Sequence, residues 1–463
     1  MSRETDVVVI GAGPGGYAAA SMAADLGLKT LIVDKEQNPG GACLYRGCIP
    51  SKALLHAAKV INEAKESEEI GITFAEPSID LDRLRGWKDE VIGKLTGGLG
   101  QLRKARKVEH IQGRARFVDA NTLEIEGQQE RVAFKHAILA TGSRPVVPGP
   151  LAIDSDKVMT SREALQLEDI PESLLVVGGG YIGLELGSVY ASLGSKVTVV
   201  EMQSGLLPGA DRDLVRVLSK RVNSAMHEVL LNTRVVEMVE TMKGVKVTLD
   251  PAREETFDKV LISVGRRPNN EDLGLENTKV QLDDHGFVKI DGQGRTHEPS
   301  VFAIGDITGQ PMLAHRATHQ GRLAAEAING SKAVFEPYCI PAVVFTDPEL
   351  AWAGITEEEA KAQGIEHKVA RYPWAASGRA LTLGRTDGLT KLIIDPKSER
   401  ILGIGIVGPG AGDMIAEGAL AIEMAATAED LSLTIHPHPT LSETVMEAAD
   451  VFFGHCTHLA SKR

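Results

Sequence analysis

Two stretches of this 463-residue chain repeat one pattern in different letters. Residues 6–35 read DVVVIGAGPGGYAAASMAADLGLKTLIVDK, and residues 173–202 read SLLVVGGGYIGLELGSVYASLGSKVTVVEM. Each runs a β-branched strand into a G-x-G-x-x-G turn, then a small-residue helix, then a second strand ending on an acid. The glycines are Gly11, Gly13 and Gly16, then Gly178, Gly180 and Gly183; the acids are Asp34 and Glu201. In such a βαβ unit the glycines permit a tight turn, close backbone approach to a pyrophosphate, and packing of helix on sheet. The helix N-terminus receives phosphate and the acid a ribose hydroxyl. One such glycine pattern could be a turn without a ligand; here strand, helix and acid coincide twice. The expected fold is α/β, with two Rossmann-like dinucleotide domains. No arginine follows Glu201 before Arg212, which favours a free 2′-hydroxyl and hence NAD over NADP. The bland alternatives are an exposed strand-end carboxylate for Glu201 and a solvated helix position for Glu185.

The segment GGACLYRGCIPSK, residues 40–52, holds Cys43 and Cys48, two of only four cysteines. Pro50 suits a first helical turn, and Ala53, Leu54, Ala57, Val60, Ile61 and Ala64 recur at helical spacing. Cys48 is therefore expected at the positive end of a helix, where thiolate is favoured over thiol. Two buried core thiols are the alternative. Fifty basic against sixty-three acidic residues give a net charge of −13, which argues against a nucleic-acid partner. The apolar run from Leu174 is broken by Glu185, and that near Ala419 by Glu417 and Glu423; neither reaches the roughly 20 residues of a membrane span. The first strand is expected near Asp6, leaving no room for a signal peptide. These features point to a soluble, cytoplasmic protein, in which a cysteine pair is catalytic rather than structural; the initiator-like Met1-Ser2 favours a bacterial cytoplasm over a mitochondrial origin with its presequence removed.

Three further runs, AILATGSRP (137–145), VLISVGRRP (260–268) and VFAIGDI (301–307), each drive a strand into a glycine turn. Asp306 is either an acceptor for flavin ribityl hydroxyls or a helix cap. Near the end, TIHPHPTLSETVMEAADVFFG (434–454) sets His438 between prolines, with Glu443 five residues on. Glu443 is either the acid of a T-x-x-E capping box begun at Thr440, or the orienter of His438 as general base for a thiol; both are compatible. A zinc site from Cys43, Cys48, His436 and His438 would leave both nucleotide units unexplained, and no metal is expected.

GGxCLxxGCIPSK, the paired glycine units, GDI with its downstream LAH, and HPHPTLSE together resemble the flavin disulfide reductases. The resemblance spans essentially the whole chain, including PWAASGRA (373–380) and residues 391–417. It implies FAD and NAD as cofactors, an FAD domain over 1–147, an NAD domain over 148–272, a central domain over 273–340 completing the flavin site, and an interface domain over 341–463 in a homodimer. The motifs look most like those of members that oxidise protein-bound dihydrolipoamide. That likeness implies, as partners, the lipoyl domains and subunit-binding domain of an acyltransferase component, a docking role that coexists with catalysis.

By the same resemblance Cys43 is the interchange thiol that meets substrate and Cys48 the thiol beside the flavin. Lys52 at the flavin edge pairs with Glu185, and His438 with Glu443 serves the disulfide of the other subunit. The His438–Pro439 bond is expected to be cis. Further implied cofactor contacts are Lys35, Gly113, Ala115, Thr141, Gly142, Asp306, Met312, Leu313 and Ala314, with Ile182, Val235 and Gly265. Ala42, Tyr45 and Arg46 depart from the family's usual Thr, Asn and Val, and Asp34 replaces its more frequent Glu; altered redox tuning rather than lost chemistry is expected. A mercuric reductase would carry a second C-terminal cysteine pair where only Cys456 stands. A glutathione reductase would carry arginines after Glu201, and a soluble transhydrogenase would lack the redox pair. Cys339 and Cys456 are read as ordinary thiols.

Overall fold

The computed structural model describes residues 3–129 and 131–460. The first glycine unit begins with β1 (Arg3–Ile10), α1 (Pro14–Asp25) and β2 (Thr30–Asp34). Val7, Val8 and Val9 are wholly buried, as a central parallel strand covered on both faces requires. Three helices follow: α2 (Gly41–Arg46), α3 (Cys48–Glu66) and α4 (Leu81–Ala105). Then come β3 (Glu109–Gln112), β4 (Ala115–Asp119), β5 (Thr122–Ile125) and β6 (Arg131–Leu139), giving the strand order β3-β2-β1-β6-β5-β4. The α2 turn inside the cysteine loop was not expected. In α3 the buried face is Ser51, Ala53, Leu54 and Ala58; Val60, expected in that face, is exposed.

The second glycine unit comprises β7 (Ser143–Pro145), β8 (Val158–Met159), α5 (Ser161–Ala164), β9 (Ser173–Val177), α6 (Tyr181–Leu193), β10 (Lys196–Val200), α7 (Arg212–Ala225) and β11 (Glu228–Leu230). An antiparallel sheet, β12 (Arg234–Thr241), β13 (Gly244–Asp250) and β14 (Arg253–Phe257), precedes β15 (Lys259–Ile262), which returns to make the parallel order β11-β10-β9-β15-β8.

The chain then goes back to the first sheet. β16 (Arg266–Pro268) pairs antiparallel with β7, and β17 (Val301–Ala303) pairs parallel with β6. α8 (Ala314–Ile328) lies so close on α1 that a Cβ on Gly321 would stand 2.3 Å from the Gly15 carbonyl oxygen. Residues 273–340, expected as a central domain completing the flavin site, supply a strand and a helix to the first unit.

The last unit is an antiparallel sheet, β18 (Ala342–Val344), β19 (Glu349–Gly354), β20 (Lys368–Pro373), β21 (Leu389–Ile394) and β22 (Ile401–Gly408), ordered β18-β19-β22-β21-β20. Its helices are α9 (Glu357–Ala362), α10 (Gly378–Thr382), α11 (Ala411–Glu423), α12 (Ala428–Leu433) and α13 (Glu443–Phe453). Lys391, buried on β21, pins this unit to the second through Asp211 at 2.9 Å and Asp213 at 3.0 Å, with Glu357 at 2.7 Å. Burying an ammonium is tolerable only with such full pairing. Among the described residues no helix is long and apolar enough to cross a membrane.

Candidate active site

The two glycine turns are built alike. Gly11 has φ +99° and Gly178 φ +109°; a Cβ on either would stand 2.4 Å from the Ala140 or 2.6 Å from the Ser263 carbonyl oxygen. A Cβ on Gly16 would be 1.9 Å from the Gly11 oxygen, and one on Gly183 2.2 Å from the Gly178 oxygen. Only glycine permits that contact of helix with turn. Asp34 accepts from the Ala12 N–H at 2.7 Å and the Glu36 N–H at 2.8 Å. Glu201 accepts from the Gly179 N–H and the Gln203 N–H, each at 2.7 Å. Glu201 is buried, so it is not an exposed strand-end carboxylate. Neither Gly13 nor Gly180 caps its helix with a side chain, which leaves first-turn N–H groups for an anion.

A cavity of about 680 Å³ runs from the first turn to the cysteines. Asp34, Lys35, Gly113 and Ala115 line one end, and Cys43, Cys48, Lys52, Ile182 and Glu185 the other. Gly11, Gly13, Thr141, Gly142, Asp306, Met312 and Ala314 line the rest. Of the other expected contacts, Gly16 is a buried residue in the first turn of α1, Leu313 immediately precedes α8, and Val235 on β12 packs against the core of the second unit. Gly178, Gly180, Glu201 and Gly265 form a separate turn region, where Gly265 is exposed.

At the cysteine end, α3 starts on Cys48 itself, so its dipole favours the thiolate there. The two sulfurs act on each other, and the neighbouring Cys43 thiol is the main reason that Cys48 falls to about 7 while Cys43 is pushed up. Burial opposes ionisation of Cys48, the Lys52 charge favours it, and Glu185 opposes it. Lys52 Nζ lies 2.8 Å from Glu185 Oε2 and 4.4 Å from the Phe345 ring centroid. Glu185 Oε1 accepts from the Phe345 N–H at 3.0 Å. Glu185 is therefore no solvated helix position; it is buried and joins the redox helix, the second unit and the last unit.

The C-terminal pair stands elsewhere. His438 Nδ1 is 2.9 Å from Glu443 Oε1, and the other carboxylate oxygen accepts from the Thr440 N–H at 2.7 Å. One acid thus serves both expected partners. The capping box itself is corrected: α13 begins on Glu443, so Glu443 is not its third residue, and Ser442 precedes it without a side-chain cap. Against the usual lowering of its affinity for protons by Thr440 and His438, burial is the largest influence on Glu443 and acts the other way; the net shift is downward. The His438 side chain is 76% exposed and faces no wall of its own chain's cavity. His438–Pro439 is cis. His436 turns away to Glu417 Oε1 at 2.6 Å, and no cluster of three metal-ligating side chains occurs among the described residues.

Sequence reasoning missed four partners. Ser143 Oγ donates to Asp306 Oδ2 at 2.5 Å and accepts from Arg266 Nε at 2.8 Å, joining the GSRP and GRRP turns that were seen only as separate runs. Phe345 and the Arg46–Glu36 ion pair carry no motif. Of the two other thiols, Cys456 donates to Glu447 at 2.9 Å and Cys339 lies 3.7 Å from the Ala419 carbonyl oxygen.

The family described as pyridine nucleotide-disulphide oxidoreductase matches residues 5–321, and its dimerisation domain matches residues 340–449. The dihydrolipoyl dehydrogenase of Vibrio cholerae is 48% identical across 100% of this chain and 99% of its own length. That of Geobacillus stearothermophilus is 47% identical across 99% and 98%. Among solved structures, LpdA from Mycobacterium tuberculosis superposes with a TM-score of 0.90 at 27% identity, covering 96% of this chain and 99% of that one. The HOCl-induced flavoprotein disulfide reductase RclA from Escherichia coli gives 0.86 at 28% identity, covering 97% and 99%.

Proposed function

The chain belongs to the pyridine nucleotide-disulphide oxidoreductases, and from that premise we propose that it oxidises dihydrolipoamide to lipoamide, with FAD and the Cys43–Cys48 disulfide as its redox centres and NAD as acceptor. The single observation that carries the reading is one cavity holding both the Asp34 glycine cradle and the two sulfurs, with Lys52 paired to Glu185 beside them. The cradle fits FAD: glycines stand where a Cβ would collide, uncapped helix N–H groups meet a pyrophosphate, and Asp34 meets a ribose. Bound there, FAD supplies two-electron transfer between the dithiol and the nicotinamide.

The residues of this chain do the rest. One substrate thiol, deprotonated, attacks the Cys43 sulfur, forming a mixed disulfide and releasing Cys48 as thiolate; the second substrate thiol then displaces Cys43 and leaves as lipoamide. Two protons and two electrons reach the enzyme in that exchange. Cys48 is the sulfur poised to remain thiolate, and Cys43 the one that keeps a proton. His438, oriented by Glu443, takes the substrate proton.

Its exposure fits service to a second subunit, as do the exposed Leu433 and Ile435 beside it in the dimerisation domain. The chain acts as a homodimer, each subunit lending His438 to the other's disulfide. The lipoyl and subunit-binding domains of an acyltransferase component are the proposed partners, and the bacterial cytoplasm the proposed location. Glu201 at the second turn selects NAD over NADP. The test is NADH formation from NAD and free dihydrolipoamide, with NADP in parallel. Fast turnover with NAD alone is expected; a yellow, flavin-loaded protein without turnover would remove dihydrolipoamide as substrate.

A further inference from the structure

The residues between the two cysteines have no place in the thiol chemistry, yet they are held firmly. The Arg46 guanidinium pairs with the Glu36 carboxylate, each side chain less than a quarter exposed. It also lies 5.7 Å from the Tyr45 ring centroid, while the Tyr45 hydroxyl donates to the Asn38 carbonyl at 3.1 Å. Gly40 donates its N–H to the Ala12 carbonyl at 2.8 Å, fastening the same loop to the first glycine turn. Arg46 and Glu36 both line the cavity, and the Glu36 N–H is one of the two that hold Asp34. The Arg46 charge acts at this end of the cavity, beside Glu36 and Lys35. Each sulfur answers to the other, to burial and to Lys52. Lys35, in contrast, is lowered first by burial and next by Arg46.

We propose that Arg46 and Glu36 form an ionic clasp across the adenosine end of the flavin cleft, tying the helix that carries Cys43 to the strand end that carries Asp34 and so retaining FAD. The inference rests on the proposed flavin reading and adds positioning residues to it. A planar guanidinium suits the task, since it meets a carboxylate in a fixed geometry and stays charged at any working pH. Partial burial spares the pair most of the screening that makes exposed pairs weak. The clasp spans the adenosine end of the cavity, so it slows release of FAD without touching the reacting atoms.

The test follows the rise of free-flavin fluorescence after holoenzyme is diluted into FAD-free buffer. Arg46→Met and Glu36→Gln are each expected to release FAD about fivefold faster, the effect of losing one partly buried charged pair. The double variant should be no faster than either single, because both remove the same interaction. Arg46→Lys should recover part of the loss, and added salt should speed release from wild type more than from Arg46→Met. Unchanged release in both single variants, or additive effects in the double, would overturn the clasp. A wild-type protein that takes up no FAD would overturn the flavin reading along with it, an outcome distinct from rapid release.

Discussion

The two glycine turns are near-copies in backbone and differ in what encloses them. In each, an acid at the end of the second strand accepts from the residue after the first glycine and from the residue two beyond itself. The first turn is then roofed by α2, flanked by Asp306 and backed by α8, so that it opens into a cavity of about 680 Å³ shared with the sulfurs. Around the second, Met202, Gln203, Ser204 and Gly265 are exposed. The lesson is that the G-x-G-x-x-G unit provides recognition of a dinucleotide, and the surrounding elements decide whether it stays. On the proposed reading, FAD is resident in the first and NAD comes and goes at the second.

The strongest way to break this comparison is to add one methyl to each turn. Gly16→Ala places a Cβ 1.9 Å from a carbonyl oxygen and is expected to yield protein without bound flavin and without activity. Gly183→Ala creates the same conflict at 2.2 Å, but should leave the protein yellow and raise KM for NAD by about tenfold to a hundredfold. Flavin lost from both, or from neither, would mean that the two turns are not specialised. Flavin content and NAD kinetics on the two purified variants decide it.

A milder cut removes the latch acid. Glu201→Ala leaves the Gly179 N–H without its acceptor, at a cost of about 1–3 kcal/mol, and should erase most of the preference for NAD over NADP while FAD stays bound. Activity measured with each nucleotide checks it; an unchanged preference would show that specificity lies elsewhere.

The smallest effect concerns the sulfur proposed to stand between the dithiol and the flavin. Cys48 sits at about 7, below its ordinary value of 9.0, so its thiolate is present above that pH and is lost as pH falls through it. In reduced enzyme, the absorbance that depends on Cys48 should therefore grow through about pH 7. Lys52→Met should move the midpoint upward, since the lysine charge favours the thiolate. A midpoint that Lys52→Met leaves in place would mean that the lysine does not tune the sulfur.

Much of this was legible in the sequence because glycine turns and strand-end acids are local: Gly11 to Asp34 and Gly178 to Glu201 are each written within one βαβ unit. The Cys48 helix start was legible for the same reason, from Pro50 and the apolar spacing after it. What depended on distant chain was not. Phe345 holding Glu185 and Ser143 bridging Arg266 to Asp306 join segments more than a hundred residues apart through a backbone N–H or a hydroxyl, groups that no motif marks. T-x-x-E reads equally well as a capping box or as an orienting acid, and only the folded backbone shows that Glu443 opens α13 while it serves both Thr440 and His438.

The central claim is that Cys48 stands between the dithiol and the flavin, whereas NAD reaches the flavin without it. The direct measurement is anaerobic bleaching of the yellow colour by dihydrolipoamide and, separately, by NADH, in wild type and in Cys48→Ser. The account predicts that both reagents bleach wild type and that only NADH bleaches the variant. Bleaching of Cys48→Ser by dihydrolipoamide at the wild-type rate would contradict it.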